Sequence, residues 1–155
     1  MKQFKIVPLN TDIATEIKAT MKDKYGHSLE YSTPEKRMNP CRLCLGDTDP
    51  GQLHVLFSYM PFVNNKNPFA EVGPVYVHQD CSAYLDVNVF PPDIKKRKYL
   101  QVRGYDADDI LIKADLTEGS NIESMIEEFL NIDDVMYLHI RHGQTGCYLL
   151  KVERA

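Results

Sequence analysis

The period of the hydrophobic positions changes several times along the chain, and each change predicts an element. Residues 3–8, "QFKIVP", read as a short strand. Asn10 or Thr11 then caps a helix in which Ile13, Ile17 and Met21 recur at every fourth position, with Gly26 as its stop. Residues 28–40 are polar, hold Pro34 and predict an ordered loop. In "QLHVLFSYM" the period drops to two: Leu53, Val55, Phe57 and Tyr59 face one way, His54, Leu56, Ser58 and Met60 the other. Both sets are largely apolar, which predicts a central strand. "NNKNP" predicts a loop and "PVYV" a short strand ending at His78. "SAYLD", after Cys81, predicts one or two turns of helix before "VFPPD" breaks the chain.

The final third is patterned more regularly. "YLQVRGY" and "DILIKADL" predict a hairpin across the acidic turn "DADD". "SNIESMIEEFL" predicts a helix, with Ser120 and Glu123 spaced as a capping box and Ile122, Met125, Ile126, Phe129 and Leu130 on one face. "VMYLHIRH" and "CYLLKVER" flank "GQTG" as a second hairpin. This C-terminal β-β-α-β-β order predicts an α+β fold, an antiparallel β-sheet with packed helices, in a single domain spanning residues 1–155.

Composition narrows the class. With 155 residues, 43% hydrophobic and 26% charged, the chain is long enough and apolar enough to bury a core. Eighteen Lys and Arg against 22 Asp and Glu give a net charge of −4, so no nucleic-acid partner is expected. The basic run at Lys95, Lys96, Arg97 and Lys98 predicts a solvated turn or short helix. No apolar run reaches the roughly 18 residues that cross a bilayer, and the N-terminal stretch lacks the features of a signal peptide. A cytoplasmic protein is expected, in a reducing compartment where cysteines serve as metal ligands or reactive thiols. The chain has no strong heptad run, so the pattern leaves the oligomeric state open.

Four residues carry the strongest chemical signal. Cys41 and Cys44 stand three positions apart in "NPCRLCLGDTDPG", and His78 and Cys81 repeat that spacing in "VYVHQDC". Zinc takes four thiolate or imidazole ligands at tetrahedral corners, and two chelating pairs from distant parts of the chain supply them. Gly46 is expected to relax the turn behind the first pair. A helix starting after Cys81 would stabilise its thiolate through the helix dipole. This layout resembles a zinc-knuckle or treble-clef-like element in the middle of the chain. Four occupied ligand positions make a closed, structural site. Two alternatives stay open: ordinary buried cysteines beside an unrelated histidine, and a redox pair, although "CRLC" lacks a preceding strand and a following helix.

Other candidates rest on less. If the last hairpin closes with His142 opposite Cys147, the two side chains share a face at about 4.5–5.5 Å between Cβ atoms. A thiol beside an imidazole can ionise near neutral pH and act as a nucleophile. A one-residue slip separates them, so an unremarkable strand-end cysteine is the competing reading. His139 and His54 read as satisfied, half-buried histidines and His27 as a solvated one. Asp106, Asp108 and Asp109 read as a turn, since the glycine and distal glutamate of a calcium loop are missing. Arg103 and Tyr105 in "VRGYD" are suited to contact an anion, although a strand ending at a turn explains them equally. No phosphate-binding glycine loop, Gly-x-Ser-x-Gly elbow or His-Glu-x-x-His is present.

"PCRLCL", "EVGPVYVH", "VRGYDADDIL" and "YLHIRHGQTGCYLLKVERA" together resemble a bacterial group, the domain-of-unknown-function 1203 family, from about Cys41 to Ala155. The resemblance implies a single-domain bacterial protein and brings no family mechanism with it. It also implies that the position of Cys44 can hold serine, whereas Cys41, His139 and Cys147 fall in the shared pattern. Two functions follow as expectations: a binding module stabilised by zinc at Cys41, Cys44, His78 and Cys81, or a thiol-dependent enzyme using Cys147 with His142 or His139.

Overall fold

A computed structural model describes residues 3–155. The strands form two antiparallel sheets. One has the order β1-β8-β7-β5-β6, from β1 (Phe4–Val7), β5 (Leu100–Tyr105), β6 (Leu111–Thr117), β7 (Tyr137–His142) and β8 (Tyr148–Arg154). The other has the order β2-β3-β4, from β2 (Tyr31–Ser32), β3 (His54–Tyr59) and β4 (Gly73–His78). Among the described residues three α-helices, α1 (Thr11–Thr20), α2 (Pro92–Lys95) and α3 (Ile122–Leu130), complete the α+β architecture.

The C-terminal β-β-α-β-β unit forms as patterned. Ile122, Ile126, Phe129 and Leu130 on α3 are fully buried against Val102, Leu138, Ile140, Leu150 and Val152 of the large sheet. Each such side chain contributes about 1.5–3 kcal/mol through burial. A second core lies under the small sheet, where Val55, Phe57, Val75 and Val77 meet Leu9, Ala14 and Ile17 around α1.

Several local expectations are corrected. Helix α1 ends at Thr20, with Met21 as a left-handed cap whose N–H bonds the Ile17 carbonyl, while the Met21 side chain still packs on the same core as Ile13 and Ile17. Gly26 belongs to the turn beyond it. Asn121 takes the N-cap of α3 with no side-chain bond, because the 3-10 turn Gly119–Asn121 feeds the helix directly. Glu123 reaches Lys95 instead of closing a capping box. The helix expected at "SAYLD" is absent. There the backbone N–H of Tyr84 bonds the Leu43 carbonyl, a tertiary partner that replaces a helical one. "VFPPD" opens α2, with proline in its first turn, where a missing N–H costs nothing. Strand β3 is central, but Leu56 on its second face is exposed.

The basic run leaves the end of the short helix α2 with Lys96 and Lys98 exposed, as expected, and Arg97 is its covered member. The side chain of Arg97 is only 17% exposed and forms a two-pronged contact with Asp47, at 2.8 and 2.5 Å. Gly119 fits because it has no side chain: a Cβ there would collide with the backbone carbonyls of Lys95 and Arg97.

Candidate metal centre

The segment from Cys41 to Gly46 folds into a tight knuckle. The Leu45 N–H bonds the Cys41 carbonyl, and the Cys41 N–H bonds the Gly46 carbonyl, both at 2.9 Å. The left-handed residue is Leu45, at φ 62°, and not Gly46, so the turn does not depend on glycine flexibility as expected. The knuckle lies against β4 through a parallel bridge between Cys41 and Tyr76. This contact brings the first cysteine pair to the end of β4, where His78 stands, and Cys81 follows in the irregular segment beyond. The strand and knuckle of the treble-clef layout are present; the helix behind Cys81, and its dipole, are not.

The donor atoms of Cys41, Cys44, His78 and Cys81 all lie within 4.8 Å of one another. A tetrahedral ion with metal–sulfur bonds of about 2.3 Å holds its sulfurs about 3.8 Å apart and a sulfur and a nitrogen about 3.5 Å apart. The Cys41 and Cys81 sulfurs are 3.7 Å apart, and the Cys44 sulfur is 3.3 Å from His78 Nδ1. The set fits a metal ion.

The protonation chemistry agrees. Hydrogen bonds from Cys44 and then Cys81 hold the Cys41 thiol far below the usual thiol range. Cys81, facing Cys41 and then Cys44, is pushed far above it. Burial opposes charge on His78, but the Cys41 and Cys44 sulfurs outweigh it and raise the imidazole to about 10. A bound cation would let all three sulfurs ionise.

A second shell fixes the imidazole. Thr48 Oγ1 donates to the Asn39 carbonyl at 2.8 Å and lies 2.9 Å from His78 Nε2. Its one hydrogen is thereby used, so Nε2–H donates to Thr48, and a metal displacing the Nδ1 proton would find that nitrogen turned toward the sulfurs. Gln52 Nε2 also approaches Nδ1, at 3.3 Å, and would have to give way to a metal. Neither Thr48 nor Gln52 carried a sequence signal, since an isolated polar residue near a knuckle has no diagnostic spacing.

The knuckle reaches into both cores. Cys41 and Leu43 belong to the small-sheet core, whereas Leu45 lies among the large-sheet residues. Between them, Arg42 is buried; its Nε donates to the Tyr148 carbonyl on β8 at 2.7 Å, and its Nη1 donates to the Pro40 carbonyl.

The remaining candidates lie elsewhere. The N–H of His142 bonds the Cys147 carbonyl, so the two residues do stand opposite one another. No side-chain hydrogen bond joins them among the described residues, because His142 Nδ1 instead accepts from the amides of Gln144 and Thr145. Burial, and then the charges of Arg97 and Arg42, push that imidazole down. His142 and Cys147 line a 470 Å³ groove shared with Arg42 and Arg97. His54 is buried and satisfied by Ser32 and Asn39, and His27 is paired with Asp23. Asp106 accepts the Asp108 and Ile110 amides, as a turn requires.

His139 departs from expectation. It is fully buried, and neither ring nitrogen has a hydrogen-bond partner. Phe62, Tyr105, Tyr137 and Tyr148 surround it with ring centroids 4.8–5.3 Å away. Burial first, then the charges of Arg141, Lys151 and Arg103, push it down to about 2.

No helix of the described residues is long and apolar enough to cross a membrane. No curated protein and no solved structure matches the chain. A family model does match residues 38–154, and so takes in the knuckle, the second ligand pair and the whole C-terminal unit. The chain belongs to the family described as Protein of unknown function (DUF1203).

Proposed function

We propose that the chain is a zinc-stabilised binding module, with zinc held by Cys41, Cys44, His78 and Cys81 as a closed structural centre. The observation that carries this reading is the span of the knuckle. Leu43 and Leu45 enter different cores, and Arg42, between Cys41 and Leu43, is tied to β8, so holding Cys41 and Cys44 in place holds the two sheets together. Three thiolates and one imidazole at tetrahedral spacing suit zinc, and four protein ligands leave no position for a substrate. The four cysteines are free thiols, in keeping with work in a reducing, cytoplasmic setting.

Elemental analysis of protein purified without added metal tests the centre. About one zinc per chain is expected, lost when Cys81 is replaced by alanine. A metal-free protein that keeps its fold and four free thiols would remove this reading.

The thiol-enzyme reading retains one observation in its favour. Cys147 shares its groove with Arg42, Arg97 and His142.

A further inference from the structure

On the face of the large sheet turned away from α3, three rows of cross-strand partners lie side by side. Gln101 pairs with Arg141 and Arg141 with Tyr148; Arg103 pairs with His139 and His139 with Lys151; Tyr105 pairs with Tyr137 and Tyr137 with Glu153. For one face of a sheet this is unusually rich in cations and aromatic rings. The long β3–β4 connection, residues 60–72, lies over it. That connection sets Phe62 against His139 and sets Glu71 on two arginines, 3.2 Å from Arg103 Nη1 and 2.6 Å from Arg141 Nη1. Connections of this length in a compact domain commonly serve binding.

Arg141 is the unusual member. Its side chain is 5% exposed, and Nη1 is used twice, by Glu71 and by the Gly146 carbonyl at 3.0 Å. Nε and Nη2 are buried with no partner. A guanidinium stays charged when buried, and leaving two of its N–H groups unpaired is costly. Those two N–H groups form the edge that grips a carboxylate or phosphate with two parallel hydrogen bonds. His139, beside it, adds two further unpaired nitrogens.

We propose that the Nε/Nη2 edge of Arg141, flanked by Arg103 and His139, is a binding site for the carboxylate of a small organic acid. This deepens the binding-module reading by naming its ligand class, and it rests on that reading only for the folded frame. Charge favours a monoanion: Lys151 is paired with Glu153, which leaves Arg103 and Arg141 to share the single carboxylate of Glu71. The walls favour an apolar or aromatic body, since Tyr105, Tyr148 and Phe62 surround the site. Access is from the Glu71 side, where that side chain is 52% and Arg103 28% exposed. Glu71 is then a resident competitor, a carboxylate of the chain itself held on the same guanidinium.

The test is an arginine side-chain ¹H–¹⁵N titration of the full, zinc-loaded protein with sodium benzoate, with inorganic phosphate and with chloride. The Arg141 Nε–H signal is assigned through Arg141→Lys, which keeps the charge and loses the two-pronged edge. A saturable benzoate shift is expected, absent in Arg141→Lys and tightened about tenfold in Glu71→Gln, which removes a charged hydrogen-bond competitor. If Arg141→Lys does not fold, the comparison of wild type with Glu71→Gln carries the test. No saturable shift in either protein would overturn the site. An equal response to chloride would reduce it to ionic screening, and saturation by phosphate alone would overturn the carboxylate assignment. Zinc content measured on the same samples separates the two readings: a silent titration in zinc-replete protein counts against the anion site and leaves the metal centre standing.

Discussion

Leu43 and Leu45 stand two residues apart on one knuckle, yet they are buried in different hydrophobic cores. Between them stands Cys44, one donor of the candidate metal centre. Loss of the metal should therefore be felt in both cores at once. Hydrogen exchange before and after chelation should show the amides of Leu45 and of Tyr84, which bonds the Leu43 carbonyl, losing protection together. Loss confined to one core would show that the knuckle does not join them.

Replacing Thr48 by alanine leaves His78 Nε2 without its acceptor while all four ligands remain. Metal affinity should fall about 10–100-fold, the usual effect of removing such a partner, and Thr48→Ser should restore most of it. Competition with a chromophoric chelator measures both variants. An unchanged affinity in Thr48→Ala would mean that the imidazole is oriented by something else.

His139 predicts a pH dependence with a definite sign. Its folded-state value lies near 2, against 6.5 for an unperturbed imidazole. The groups facing it are Arg103 from β5, Arg141 on its own strand and Lys151 from β8, together with three tyrosines. Below pH 6.5 the unfolded chain takes up a proton that the folded chain refuses. The stability linked to His139 is thus complete above pH 6.5 and is lost as pH falls toward 2. Between pH 7 and pH 5 that loss is about 2 kcal/mol. Urea unfolding of wild type and His139→Leu at both pH values isolates it, since acid effects on the metal ligands are common to both. Parallel pH profiles would contradict the prediction.

Cys147 provides a test of the thiol-enzyme reading. With metal bound, iodoacetamide at neutral pH should label Cys147 alone, and all four cysteines after unfolding in chelator. A Cys147 rate well above that of a free thiol would favour an activated nucleophile. A rate at or below it would leave the groove without one.

Gly119→Ala should destabilise the protein by about 1–3 kcal/mol, because the added methyl meets two backbone carbonyls that no rotamer change can move. Thermal unfolding measures this directly. A neutral result would mean that the Lys95–Arg97 segment is free to shift.

The C-terminal unit could be read from the chain because its information is local. Ile122, Ile126 and Phe129 keep helical spacing, and the flanking strands alternate, so period alone identifies each element. The two Cys/His pairs of the candidate centre could be read for the same reason, as chelation would impose a short spacing. "SAYLD" misled because its Tyr84 amide finds Leu43, forty-one positions away in sequence, and no local rule contains that partner. Thr48 and Glu71 were hidden likewise. Arg141 was within reach: alternation from His139 places it on the same face, and Arg103 had already been read as suited to an anion.

The two ligand pairs flank a hairpin. Strands β3 and β4 pair in register from His54 with His78 to Tyr59 with Gly73, so His78 emerges at the open end of the hairpin, beside the chain returning from the knuckle. Closing that span of chain has an entropic cost that rises only slowly with its length, and the hairpin meets most of it before any ion arrives. Metal loading would then be a late event on the folding route. A nascent chain could hold this hairpin while awaiting its ion, and the rate at which mature protein appears would follow the supply of free metal.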